Sequence, residues 1–239
     1  MAKSLQLDID NAEAYKILGF NLTKLGKYDG AQLEMEQAVH LKPDPAKIHY
    51  FLGRIHYTRN AIPLAKKQFE EAIRLDPSYM KTYDNLALTI EGMGNDRQSL
   101  ANYERTIELM ELQGLKSEWP CINVCAMYNR LNKPEQALEY CQNATELNPK
   151  SAPAFFETAR AHMAKENWEG AAKVLQSAIE INPRHPKFHC VLSTVYRKIG
   201  ERAESEREMA TFRKLSERSG APLGQETSAR PEHPANVRH

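Results

Sequence analysis

Four stretches, AVHLKP (38–43), AIRLDP (72–77), ATELNP (144–149) and AIEINP (178–183), share one pattern: an alanine-led amphipathic run closed by a proline. Their prolines, Pro43, Pro77, Pro149 and Pro183, are spaced 34, 72 and 34 residues apart, and 72 is two periods of 34 plus four. Outward from these, Gly19, Gly53, Ala87, Cys125, Ala159 and Ser193 repeat at 34, 34, 38, 34 and 34. Ala31, Ala65, Ser99, Ala137, Ala171 and Ser205 keep the same intervals. Self-similarity at a fixed period of this size marks an array of supersecondary units. A small residue at a fixed place lets two helix backbones approach. Larger residues fill around it: Leu22, His56, Ile90, Tyr128, His162 and Tyr196 follow the first small series by three, one helical turn on. On the second segment, small residues seven apart flank Met35, Phe69, Tyr103, Cys141 and Leu175. Each period therefore predicts two antiparallel amphipathic helices.

The prolines test that map independently, because a proline inside a helix removes a hydrogen bond and clashes with the preceding turn, at about 3 kcal/mol. All ten before residue 219 avoid predicted interiors. Pro43, Pro45, Pro77, Pro149 and Pro183 are expected to end second helices. Pro120, Pro153 and Pro186 open first helices, and Pro63 and Pro134 open second ones. Gly26, Gly94 and Gly200, with Asn60 and Asn132, fall at the mid-repeat turn, where a left-handed residue ends a helix.

The pattern resembles the tetratricopeptide repeat, whose 34-residue signature sets leucine, glycine, tyrosine, alanine, phenylalanine and proline at fixed places. The resemblance covers nearly the whole chain and implies an all-α fold, a right-handed superhelical solenoid of about six helix-turn-helix units. The units are placed at 12–45, 46–79, 80–113, 118–151, 152–185 and 186–218, the last doubling as a cap. Glu111 stands where other units have proline, so residues 114–117 are expected to extend the preceding helix by a turn. Residues 1–11 align with the end of an upstream repeat or a cap, and 219–239, rich in Ser, Gly, Pro and Ala, read as a disordered tail. The WP junction at Trp119-Pro120 and the closing YRKIGERAESEREM (196–209) are similar to bacterial members.

Composition excludes several classes. The 239 residues carry 32 basic and 31 acidic side chains, a net +1, so the bulk charge favours neither nucleic acid nor an anionic membrane. No run approaches the roughly 18 apolar residues of a membrane span, and the opening MAKSLQLDIDN has no signal-peptide core. The reading is cytoplasmic, or periplasmic if the true N-terminus lies upstream. No GxSxG, HExxH, P-loop or GxGxxG occurs. Cys121, Cys125 and Cys141 lie near one another in the repeat register, but they occupy packing positions without CxxC spacing, so they are read as core thiols rather than metal ligands, with a reducing compartment as the weak corollary. His56 and His162 occupy the site filled by tyrosine in units four and six and read as packed. Catalytic residues, metal and cofactor are all expected to be absent.

What remains is surface. In the family that the chain resembles, first helices line a concave groove, and positions 2, 5, 9, 12 and 13 of each unit point into it. By register the resemblance assigns peptide binding to Lys16 and Phe20 in the first unit and to Lys47, Tyr50, Arg54 and Tyr57 in the second. It adds Lys81 in the third, Trp119 and Arg130 in the fourth, Phe156 and Arg160 in the fifth, and Arg197 in the sixth. Of the thirty positions so transferred, ten are basic and three acidic. That surface suits an extended or helical protein segment with carboxylates and apolar side chains. The family's carboxylate clamp does not fit: Lys16 and Lys81 match, but Phe20 and Phe51 occupy its asparagine sites and Asn85 its arginine site. The expected function is a non-catalytic scaffold or adaptor. The alternative is the repeat arm of a larger enzyme or assembly machine, and nucleic-acid binding is the weaker reading of the basic positions.

Overall fold

The computed structural model describes residues 12–41 and 45–219. Among these residues the chain is an all-α helical repeat solenoid of twelve helices without a strand, divided into two compact units that meet between Leu115 and Lys116. The first unit holds α1 (Ala12–Lys24), α2 (Tyr28–Leu41), α3 (Pro45–Thr58), α4 (Ile62–Leu75), α5 (Met80–Gly92) and α6 (Asp96–Leu112). The second holds α7 (Trp119–Arg130), α8 (Pro134–Leu147), α9 (Ala152–Ala164), α10 (Trp168–Ile181), α11 (Pro186–Ile199) and α12 (Arg202–Ser219). Helices pair consecutively as hairpins, α1 with α2 through α11 with α12, and inside each unit every hairpin packs on the next. First helices also touch along one side, α1 with α3 and α3 with α5 in the first unit, and α7 with α9 in the second.

The six hairpin turns share one mechanism. A residue with positive φ follows each first helix: Gly26 (71°), Asn60 (58°), Gly94 (78°), Asn132 (54°), Glu166 (56°) and Gly200 (97°). One residue later the chain donates back five positions, from Lys27 to the Leu22 carbonyl, Ala61 to His56, Asn95 to Ile90, Lys133 to Tyr128, Asn167 to His162 and Glu201 to Tyr196, at 2.8–3.3 Å. That bond closes a helix C-terminus by satisfying a carbonyl left over from the last turn. Its acceptors are the series read from the sequence as one turn past the small residue. Five of the six left-handed residues are the expected glycines and asparagines; Glu166 is the exception.

Small residues sit where helices cross. Ala31, Ala65, Ser99, Ala137 and Ala171 are fully buried. A Cβ added to Gly53 would lie 2.6 Å from the Phe69 ring, and one added to Gly19 would lie 2.9 Å from Met35 Cγ. Between hairpins the core is continuous within a unit: Met35 and Ala38 of α2 meet Ile48, Leu52 and Ile55 of α3, and Phe69 of α4 meets Leu86 and Ile90 of α5. Phe69 is fully buried, a contribution of about 1.5–3 kcal/mol. In the second unit Leu175 packs with Phe156, Phe188, Leu192 and Val195.

Three sequence expectations are corrected. Pro45 opens α3 instead of ending α2, because proline's missing N–H costs nothing in a first turn. Helix α6 does run past the repeat register, with 17 residues against 14 in α2, α4 and α8, but it ends at Leu112. Gly114 takes φ 63° and the Leu115 N–H closes on the Met110 carbonyl at 2.9 Å, so residues 114–117 form a connection and add no helical turn. Third, Cys125 and Cys141 are joined by a disulfide, Cα–Cα 5.4 Å, so they are not a pair of packed thiols. The expectations for residues 1–11, for Pro43 and for 220–239 lie outside the described residues.

Candidate functional site

The face built by first helices is taken unit by unit. In the first unit Lys16 pairs with Glu13 at 2.6 Å, one turn earlier on α1. Phe20 meets the Phe51 ring edge-on at 5.4 Å, with Lys24 Nζ 4.5 Å from its centroid. Tyr50 is only 3% exposed and packs against Phe51, Phe69 and Tyr79, with the Arg54 guanidinium 5.8 Å from its ring. Burial raises the Tyr50 phenol above its ordinary pKa and Asp84 adds to the rise, while the Arg54 charge and hydrogen bonds with Arg54 and Asn85 oppose it. Tyr57 and Lys81 are half-buried and Lys47 is exposed. Glu91 accepts the Tyr103 hydroxyl at 2.9 Å.

In the second unit Trp119 begins α7, half-buried, and Arg130 ends it, exposed, with one guanidinium nitrogen 2.8 Å from Met127 Sδ. Phe156 is 7% exposed, stacked on Phe188 at 5.2 Å, with Lys187 Nζ 5.4 Å from its centroid. Arg160 binds the Glu157 carboxylate at 3.0 Å, and Asn129 donates to the Glu157 carbonyl and carboxylate at 2.9 and 3.0 Å, tying α7 to α9. Arg197 and Lys198 are exposed, and Lys198 Nζ lies 5.5 Å from the Trp168 ring.

Two features of the expected surface change. Tyr50 and Phe156 lie in the inter-hairpin core, so the side chains expected to anchor a ligand instead hold successive hairpins together; Phe20, Tyr57 and Trp119 keep part of their surface. The positive excess is also smaller by one, because Arg160 faces Glu157, a carboxylate outside the transferred positions. Glu157 was missed by the register transfer, although its i, i+3 spacing to Arg160 stood in the sequence.

The described residues include a part-buried imidazole–carboxylate pair, His189 Nδ1 to Glu208 Oε2 at 2.6 Å, with His189 Nε2 3.0 Å from the Pro183 carbonyl. They contain no cluster of three or more His, Cys, Asp or Glu side chains placed to hold a metal. His56 is buried and His162 partly so; burial lowers both pKa values, with Arg59 adding to the effect at His56 and Lys165 at His162. A concavity at the first hairpin turn is lined by Gly26, Tyr28, Asp29 and Arg59, and its Arg59–Asp29 pair closes at 2.8 Å. Among the described residues no helix is long and apolar enough to cross a membrane.

Twelve described helices in hairpins, five of the six turns ended by glycine or asparagine, define a helical-repeat protein. Two models described as tetratricopeptide repeat match residues 21–79 and 130–211, and the chain belongs to the tetratricopeptide repeat family. Among curated proteins it is 28% identical over 166 residues to the DnaJ homolog subfamily C member 7 homolog of Schizosaccharomyces pombe, covering 64% of this chain and 35% of that protein. It is 26% identical over 165 residues to protein bimA of Emericella nidulans, covering 69% and 20%. The chain thus spans about a third or less of these relatives. Among solved structures it is similar to PilW, described as a type IV pilus biogenesis factor, with TM-score 0.77, 14% identity and coverage of 89% and 95%. It is also similar to YrrB, described as a tetratricopeptide repeat protein with an unusual peptide-binding site, with TM-score 0.63, 22% identity and coverage of 77% and 93%. At these identities the structural likeness speaks for the fold alone.

Proposed function

We propose that the chain is a non-catalytic interaction scaffold whose first-helix faces take an extended or helical segment of another protein, rich in acidic and apolar side chains. The observation that carries this reading is the pairing of cations with rings along those faces, Lys24 over Phe20, Arg54 over Tyr50 and Lys187 over Phe156. A cation held on a ring is positioned to meet a carboxylate, and where the ring keeps surface, as Phe20 does, the aromatic face beside it takes an apolar side chain. Phe20, Tyr57 and Trp119 supply the aromatic contact, and Lys47, Arg54, Lys81, Arg130 and Arg197 supply the charge. The DnaJ and bimA relatives are longer than the matched region, which favours as a second reading the same module acting inside a larger polypeptide.

An array of peptides alternating acidic and apolar residues, with basic-apolar controls, tests the reading against the full chain and its Arg54→Glu/Arg197→Glu variant. The wild type is expected to retain the acidic set, and the variant to bind about 10-fold more weakly, equivalent to about 1.4 kcal/mol. Equal binding by both proteins counts against the proposal. Steeply salt-dependent binding to a single-stranded oligonucleotide in place of peptide would favour the nucleic-acid reading.

A further inference from the structure

The fourth hairpin breaks the packing rule of the other five. Residues sixteen apart in sequence meet across the hairpin at Gly19 with Met35 and Gly53 with Phe69, and Ala159 shares a core cluster with Leu175; the same spacing pairs Ala87 with Tyr103 and Ser193 with Met209 in the sequence, the first small and the second bulky each time. The glycine contacts show why, since even a Cβ at Gly53 would drive into the Phe69 ring. The fourth hairpin places Cys125 and Cys141 there, two side chains of equal size, both 0% exposed. Their Cα atoms are 5.4 Å apart, inside the span a cystine bridges, and their sulfurs are bonded. Cys121, one turn earlier on α7, and Cys190 on α11 lie outside the bond. The helix crossing therefore selects the pair, and closeness in sequence does not.

We propose that Cys125–Cys141 is a native cystine that stands in for the bulky side chain of the sibling hairpins, and that the chain matures where an oxidised dithiol, a protein or small-molecule disulfide, is at hand. One cysteine thiolate attacks the external disulfide, forming a mixed disulfide and releasing one external thiolate. The second cysteine thiolate attacks the protein sulfur of that mixed disulfide and releases the other. The two cysteines lose two electrons, the external disulfide gains them, and the two thiol protons leave with the departing thiolates. Both sulfurs are enclosed once the hairpin shuts, so exchange belongs to folding, and the finished bond is shielded from reductants in the native state. An oxidising compartment follows from this chemistry, in place of the reducing one expected from the sequence. The bond also ties α7, which carries Trp119 and Arg130, to α8.

The full chain, refolded in a glutathione redox buffer, tests this by thiol counting in denaturant, non-reducing peptide mapping and thermal melting. Two titratable thiols, those of Cys121 and Cys190, and a linked pair of peptides containing residues 125 and 141 are expected. Reduction is expected to be slow in native buffer and fast after denaturation, and to lower the melting temperature by roughly 10 °C. The Cys125→Ala/Cys141→Leu variant, which copies the fifth hairpin, is expected to recover most of that loss and ignore reductant. Cys125→Ser/Cys141→Ser is expected to melt with the reduced chain. Four titratable thiols after refolding, a bond through Cys121 or Cys190, or a melting temperature indifferent to reductant would overturn the proposal.

Discussion

Glu166 occupies, at φ 56°, the turn position that glycine or asparagine fills in the other five hairpins. A side chain with a Cβ is strained in this region by roughly 1–2 kcal/mol, and asparagine tolerates it better. Glu166→Asn is therefore expected to stabilise the chain by about 0.5–1 kcal/mol, read as a higher urea midpoint at unchanged slope. His56 and His162 give a pH dependence whose sign follows from burial. Their folded pKa values lie below the ordinary value of about 6.5, so the unfolded chain binds more protons once the pH falls through that value. Stability from this source is present above about pH 7 and declines as the pH drops through 6.5 toward the folded values. Denaturation midpoints at pH 7.5 and 5.5 should show the decline. The His56→Tyr/His162→Tyr double variant, which copies the fourth and sixth hairpins, should flatten it; an unchanged slope would assign the dependence to other groups.

A hairpin's stability rests on the crossing of its two helices, where one small side chain admits one large one. Gly53→Val places branched atoms where a single Cβ already meets the Phe69 ring at 2.6 Å. It is expected to cost about 1–3 kcal/mol through overpacking, measured by urea denaturation. Such crossings were legible in the sequence because the small series and the bulky series each recur at the period. Pro45 was assigned to the wrong side of its turn because a proline stops one helix and starts the next equally well, and only the backbone path decides between them. The connection after α6 was similarly beyond the pattern: without a proline the helix ran on to Leu112, but Gly114, two residues later, takes a left-handed turn and the inserted residues add no helix.

Within each unit every hairpin packs chiefly on its neighbours, so destabilisation stays local in a repeat array. Phe69→Ala, which removes the fully buried ring shared by α4 and α5, is expected to cost about 3–5 kcal/mol and to raise amide exchange through α3, α4 and α5. Amides of α9 to α12 should keep wild-type protection; uniform acceleration along the chain would show instead that it opens as one cooperative body. The sequence by itself determined the repeat, the pairing of helices and the residues at turns and crossings, because those depend on period, chain reversal and side-chain size. Tertiary structure alone decided which residues of the first-helix face remain at the surface. Tyr50 and Phe156 turn into the core between hairpins, and Asn129 of α7 reaches Glu157 of α9, because exposure and cross-helix pairing depend on neighbours about twenty to thirty residues away. It also joined Cys125 to Cys141, since a bond between two sulfurs depends on the distance across the crossing, and a one-dimensional pattern carries the register but not the distance.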